Sequence, residues 1–216
     1  MPNIKLNIQR PSFESVKKAY MEINEIGKDE YDDYVKARLR YNFLGGKIQK
    51  SFEKEKSSYV NTCAVRVSYA LNKGGMPLKE ALENGIKNNS KHNALLQSIK
   101  NDIERYSRID KGDNYYITNS IDVETFLWIK WGTPELMQKN MSAKAQNMVF
   151  FKNLKNAKKQ GIVTMRIDFD DAKGHTTLWD KNYFVDDSNY LVETIIKDND
   201  IHHNPLVKEI HFWELK

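Results

Sequence analysis

Cys63, the only cysteine in the chain, stands in the stretch Ser58–Ala70, SYVNTCAVRVSYA, directly behind Asn61-Thr62. A polar pair followed by an apolar-periodic run predicts a helix starting at the thiol. Two readings compete. Free cysteine is among the most buried residue types and acts as a small apolar group. Cys63, Val67, Ala70 and Leu71 fall on one helical face, as core residues do. Against this, a thiol in the first turn meets the positive end of the helix dipole and the unpaired backbone N–H groups. That setting favours thiolate and can stabilise an oxyanion. The chemistry would be nucleophilic attack on a carbonyl, and it needs a base.

Five histidines offer one: His92, His175, His202, His203 and His211. His92 lies in a polar stretch and reads as a surface residue. His202-His203 read as a loop before Asn204-Pro205, and His211 as a structural residue on the last strand. His175 differs, because it opens a strand directly after Gly174. Asp180, Asp186 and Asp187 follow it, and any of them is placed to orient the imidazole. A helix-start cysteine followed far downstream by a strand histidine is the order of papain-like enzymes. Spacing alone leaves core and nucleophile evenly balanced. Asn61 and Thr62 either position substrate or cap the helix. Trp179 either lines the cleft or fills the core. Arg66 either reaches a substrate carboxylate or forms a surface salt bridge.

The elements that must hold these residues are mostly helical in the first two thirds. Ser12 caps a helix through Phe13, Val16, Tyr20 and Ile23. A second helix spans Asp32 to Phe43, before Gly45-Gly46. The Cys63 helix has Thr62 or Asn61 as N-cap and stops at Gly74-Gly75 with Pro77. Further helices are expected at Leu78–Ile86, Ser120–Trp131 and Ser142–Gln160. The character then changes. Gly161–Phe169, GIVTMRIDF, alternates with period two and is rich in β-branched residues, which predicts a strand. A turn over Asp170–Gly174 joins it to His175–Trp179 as a hairpin. Tyr190–Ile196 is strand or helix, and Ile210–Leu215 is a closing strand. Helices first and a largely antiparallel sheet after them make an α+β arrangement.

Composition sets the outer bounds. The 216 residues are 40% hydrophobic and 29% charged, which is ordinary for a globular chain. The net charge of +5 is mild, and the basic residues are interleaved with acids: Lys36, Arg38 and Arg40 share a segment with Asp32 and Asp33. No nucleic-acid partner is expected, only a general preference for anions. One cysteine excludes an internal disulfide framework and any cysteine-based zinc site. No window approaches the roughly 20 apolar residues of a membrane span. The opening MPNIKLNIQRPSF does not read as a signal peptide, so a protein made in the cytoplasm is expected.

Motifs add a family. NTCAVRVSYALNKGG (Asn61–Gly75) together with GHTTLWD (Gly174–Asp180) resembles the fourth family of type VI secretion amidase effectors, as do RPSF (Arg10–Phe13) and WGTPE (Trp131–Glu135). The matched motifs are spread over most of the chain. The resemblance implies a papain-like, NlpC-like cysteine peptidase delivered by a type VI secretion component into the periplasm of another bacterium. There it would hydrolyse peptidoglycan stem peptides between D-glutamate and meso-diaminopimelate, with no metal and no cofactor, and would be blocked by a cognate immunity protein. Carried over by motif, Cys63 is the nucleophile, His175 the general base and Asp186 the third residue. Asp187 is a close second, and Asp180 reads as a turn residue. Relatives carry a cysteine pair near the aspartate, whereas this chain has Lys181–Val185 there. The chain is expected to form one domain over residues 1–216, with an insertion around 87–113. Rival readings are a papain-like thiol acyltransferase, a peptidase for another substrate, or a basic binding module with Cys63 in its core.

Overall fold

The computed structural model describes residues 10–216 except 89–90, 168, 170–171 and 198–199, with the backbone alone for 195–197 and 200–202. Helix α1 (Phe13–Asn24) starts where Ser12 accepts the Ser15 N–H at 3.3 Å, and it buries Phe13, Val16, Tyr20 and Ile23. Helix α2 (Asp33–Leu44) is capped by Asp32. Gly45-Gly46 does not open a loop. It turns the chain into a further helix, α3 (Gly46–Lys54). The Cys63 helix, α4 (Cys63–Lys73), begins and ends as the sequence predicts. Helix α5 (Leu78–Asn88) and α6 (Asn93–Arg105) follow, and α6 falls in the charged stretch 87–113. Its Leu96, Ile99 and Ile103, spaced three and four apart, are buried. Helix α7 is Ser120–Trp131.

Strand β1 (Leu136–Gln138) is short. Helix α8 (Lys144–Ala157) ends three residues before the boundary predicted at Gln160. Lys158 adopts φ 52°, a left-handed turn that closes the helix without a glycine, and Gln160 is already in the next strand. The hairpin is as expected: β2 (Gln160–Ile167) pairs antiparallel with β3 (Gly174–Asp180). The expected turn between them lies partly outside the described residues. Strand β4 (Tyr183–Phe184) continues from β3. The stretch left open as strand or helix contains β5 (Thr194–Lys197). It pairs with β6 (Asp200–His203), which replaces the loop expected at His202-His203. Strand β7 (Val207–Glu214) closes the fold. The main sheet is ordered β1-β7-β2-β3-β4, and every pairing is antiparallel.

Alternation on β2 does not separate apolar from polar. Ile162 joins Leu178 and Trp213 in the cluster that holds α1, α4 and α7, while Val163, Met165 and Ile167 join Phe150 and Leu154 of α8. The sheet is therefore covered on both faces, and helices wrap it in an α+β arrangement. Buried His211 illustrates the cost of polar groups in such a sheet. It sits between Glu124 and Glu209, whose charges are balanced by Arg166 and Lys139.

The α4 helix must be fixed against α1 to hold the thiol, and Gly74 is where the two meet. A side chain there would come within 2.6 Å of the Ala70 carbonyl and 2.7 Å of Val16. Gly74→Ala is expected to cost about 1–3 kcal/mol by overpacking, read as a lower urea midpoint. An unchanged midpoint would contradict this close contact.

Candidate active site

Four segments distant in sequence meet at the start of α4. Cys63 is 4% exposed, so the core reading of its burial is correct. Its thiol is nevertheless close enough to His175 and to the Thr176 backbone for both to lower its pKa. Burial and a neighbouring imidazole coexist. The cap is divided between the two candidates. Thr62 holds the cap position without a side-chain bond to the helix, while the exposed Asn61 accepts the Cys63 N–H at 3.2 Å. Thr62 Oγ1 is turned the other way, accepting from Arg40 at 2.7 Å.

His175 enters from β3, where it pairs with Met165 of β2. The residue before it has to be glycine, because a side chain at Gly174 would collide with the Met165 carbonyl. His175 Nε2 lies 2.9 Å from Asp186 Oδ2 and 3.0 Å from Ser188 Oγ. That leaves Nδ1 for the thiol. Tyr190 stands edge-on to the ring at 5.2 Å and restricts its rotation.

Asp186 is the aspartate that reaches the histidine. Asp187, one position on, is exposed with φ 60°, and its N–H caps the turn by donating to the Phe184 carbonyl. Asp180 is no simple turn residue, since it ends β3 in an ion pair with Lys17 at 2.6 Å. The Asp186 side chain is 3% exposed and is surrounded by donors. Arg66 reaches Oδ2 at 3.1 Å, Ser188 Oγ donates to Oδ1 at 2.6 Å, and Tyr20 donates to Oδ2 at 3.4 Å. Arg66 is itself buried, bonded to Asn24 and packed over Tyr20. It is neither a surface ion pair nor a free substrate ligand.

Charge follows from this packing. Burial pushes the Cys63 thiol up, but the hydrogen bond and charge of His175, the charge of Arg66 and the Thr176 N–H outweigh it and bring the thiol below its ordinary value. Burial would lower the His175 imidazole; the Asp186 charge and hydrogen bond, with Cys63, reverse that and raise it to about 9. Burial would also raise Asp186, yet His175, Arg66 and Ser188 hold it well below the carboxylate range. Thiolate and imidazolium are thus favoured as a pair, with an ionised carboxylate behind them.

The pair lies beside a cleft. A cavity of about 280 Å³ is lined by Lys36, Arg40, Asn61, Thr62, Arg66 and His175, and another of about 310 Å³ reaches Cys63 from the side of Ser120 and Lys173. Of the residues weighed for substrate contact, Asn61 and Thr62 face the cleft. Trp179 does not. It is wholly buried between Phe151 and Phe184, which is the core reading. Among the other histidines, His203 is exposed, and the side chain of His202 lies outside the described residues. Asn24, Tyr20, Tyr190 and Ser188 were not foreseen. Only Ser188, two positions after the aspartate, had a local signal, because an Asp side chain commonly accepts from the residue two further on.

Replacing Asp186 by Asn removes the charge that sustains imidazolium. Cys63 alkylation by iodoacetamide, followed at a pH below the thiol's own pKa, is expected to slow in Asp186→Asn by about tenfold for each pKa unit that the thiol rises. Asp187→Asn is expected to match wild type. The reverse ranking would assign the acid to Asp187.

Comparison with known proteins bears on the family and the fold. A family model described as type VI secretion system (T6SS), amidase effector protein 4, Tae4, matches residues 59–213, a span running from just before Cys63 to beyond the aspartate. No curated protein sequence matches the chain. Among solved structures, the Tae4–Tai4 effector–immunity complex from Salmonella Typhimurium matches with a TM-score of 0.60 at 21% identity, over 96% of this chain and 100% of that one. The Tae4–Tai4 complex from Enterobacter cloacae matches with 0.59 at 22%, over 96% and 100%. Tae4 from Enterobacter cloacae alone matches with 0.59 at 22%, over 98% and 100%. At such identities the structural likeness establishes the fold, which is papain-like and NlpC-like. The extent of the family match establishes more: the chain belongs to the type VI secretion amidase effector family 4.

Proposed function

We propose that the chain is an antibacterial cysteine amidase, a DL-endopeptidase that hydrolyses the bond between D-glutamate and meso-diaminopimelate in peptidoglycan stem peptides. The observation that carries this reading is the buried Cys63 thiol beside His175, with Asp186 at 2.9 Å behind the ring, in a chain of an amidase effector family.

The Cys63 thiolate attacks the γ-glutamyl carbonyl carbon, and the carbonyl electrons move to oxygen. The Cys63 N–H, released when the exposed Asn61 turns aside, donates to that oxyanion. Collapse breaks the C–N bond, and the His175 imidazolium gives its proton to the departing amine of diaminopimelate. A thioester remains. Neutral His175 then takes a proton from water, the hydroxide adds to the thioester, and the acid product leaves with the thiolate restored. Asp186 fixes the ring through Nε2 throughout and stabilises each imidazolium. Arg66 keeps Asp186 ionised and in place.

The chain would act as one domain, loaded by a type VI delivery component and working in the periplasm of the target cell. Among the described residues no helix is long and apolar enough to cross a membrane. A cognate immunity protein would protect the producer, as the complexes of similar Tae4 proteins with Tai4 indicate.

Digestion of diaminopimelate-type peptidoglycan fragments, read by mass spectrometry, tests the reading. Wild type should release the diaminopimelate-containing portion, and Cys63→Ala and His175→Ala should release none while unfolding like wild type. Full activity in Cys63→Ala would overturn the mechanism. Intact fragments with wild type would overturn the substrate assignment and turn attention to thiol transfer, which needs an acceptor amine.

A further inference from the structure

Arg40 of α2 is 8% exposed, yet among the described residues none of its hydrogen bonds or ion pairs is to a carboxylate. Nη1 donates to Thr62 Oγ1 at 2.7 Å, Nη2 donates to the Asn24 carbonyl at 3.2 Å, and the buried Nε has no partner. Among the described residues, the nearby acids are already engaged. Asp33 pairs with Lys36 at 2.8 Å, and Asp186 pairs with Arg66 at 3.1 Å. Burial, and then repulsion from Arg66, lower the Arg40 guanidinium to about 10. A buried cation held by neutral dipoles alone is costly. Its place explains the cost: Arg40 lines the cavity of about 280 Å³ that opens on His175, together with Lys36, one turn away on the same helix, and Asn61 and Thr62. A neighbouring cavity of about 360 Å³ shares Lys36, Arg40, Arg66 and His175 and adds Lys28. Cations that look scattered along the sequence thus converge, with Asp33 among them, on the cavities beside His175.

We propose that Arg40, with Lys36 at the rim, forms a carboxylate-binding subsite that takes a free carboxylate of the stem peptide next to the scissile bond. The proposal rests on the endopeptidase reading above. Both partners of that bond carry such a group. The γ-linkage leaves the D-glutamate α-carboxylate free, and diaminopimelate has carboxylates of its own. Anion entry supplies Arg40 with its missing counter-charge, so part of the binding free energy is preorganised in the empty cleft. Selectivity follows from the same contact. A carboxamide in place of the carboxylate removes the charge and turns a hydrogen-bond donor toward a guanidinium that can only donate.

The test uses three synthetic fragments: both residues free, D-glutamate amidated, and diaminopimelate amidated. Wild type should lose about tenfold or more in kcat/KM on one amidated fragment, which a lost hydrogen bond to a charged group produces. The fragment that suffers identifies the carboxylate. Arg40→Gln should lower kcat/KM on the free fragment, chiefly through KM, and abolish the discrimination between acid and amide. Lys36→Gln at the half-buried rim should do the same more weakly, and it provides a variant that leaves the buried guanidinium in place. Equal cleavage of all three fragments by wild type would overturn the subsite while leaving the endopeptidase reading intact. Retained discrimination in Arg40→Gln would overturn the assignment to Arg40. No cleavage of any fragment by wild type would overturn the endopeptidase reading and the subsite with it.

Discussion

A carboxylate taken out of water needs neighbours that replace the solvent, and Asp186 collects them from every part of the fold. Arg66 comes from α4, Tyr20 from α1, His175 from β3, and Ser188 from the turn that carries Asp186 itself. Arg66 is in turn held by Asn24 at the end of α1. Removing one partner of a buried ion pair typically costs about 3–5 kcal/mol, because the other charge stays behind. The α1–α4 packing, the β3 start and the 184–188 turn are therefore tied to one another through a single ionised group. The same group sets the protonation of His175, and through it that of Cys63. Stability and chemistry share one electrostatic centre.

This explains how the burial of a core thiol and the surroundings of a nucleophile are compatible at Cys63. A thiol in an apolar core has its pKa raised and is inert. Cys63 belongs to the main apolar cluster with Val67, Ala70 and Leu71, yet its one polar flank meets an imidazole whose positive charge is sustained from behind. Burial then strengthens the interaction instead of suppressing it, since little water screens the pair.

What was legible in the sequence was what local rules control. Ser12 as a cap, Cys63 as the first residue of its helix and Ser120–Trp131 as a helix follow from capping chemistry and 3.6-residue periodicity. The β2–β3 hairpin follows from β-branched alternation. The boundaries missed are those where a local rule has an exception. Gly46 starts a helix instead of prolonging a break, and Lys158 adopts the left-handed turn that usually calls for glycine. Helix α6 was hidden by the charge around it, although Leu96, Ile99 and Ile103 have helical spacing. For the site, the motifs single out Cys63 and His175, while Asp186 and Asp187 differ by a single position that only geometry separates. The inward packing of Arg66 and Arg40 was beyond reach, because nothing in a sequence distinguishes an arginine at the surface from one folded inward against an aspartate or a cavity. The apparent dispersal of positive charge was likewise a property of the linear chain; Lys36, Arg40 and Arg66 share one wall in space.

The central claim is that Cys63 rests as a thiolate paired with protonated His175. It is tested most directly by titrating the ultraviolet absorbance of the thiolate, with Cys63→Ser as the blank, since the chain has no other thiol to confuse the signal. The account predicts a step below the ~8.5 of a free thiol, with a further change as His175 loses its proton near pH 9. A single step at or above ~8.5 would mean that Cys63 is a neutral core thiol and would contradict the account.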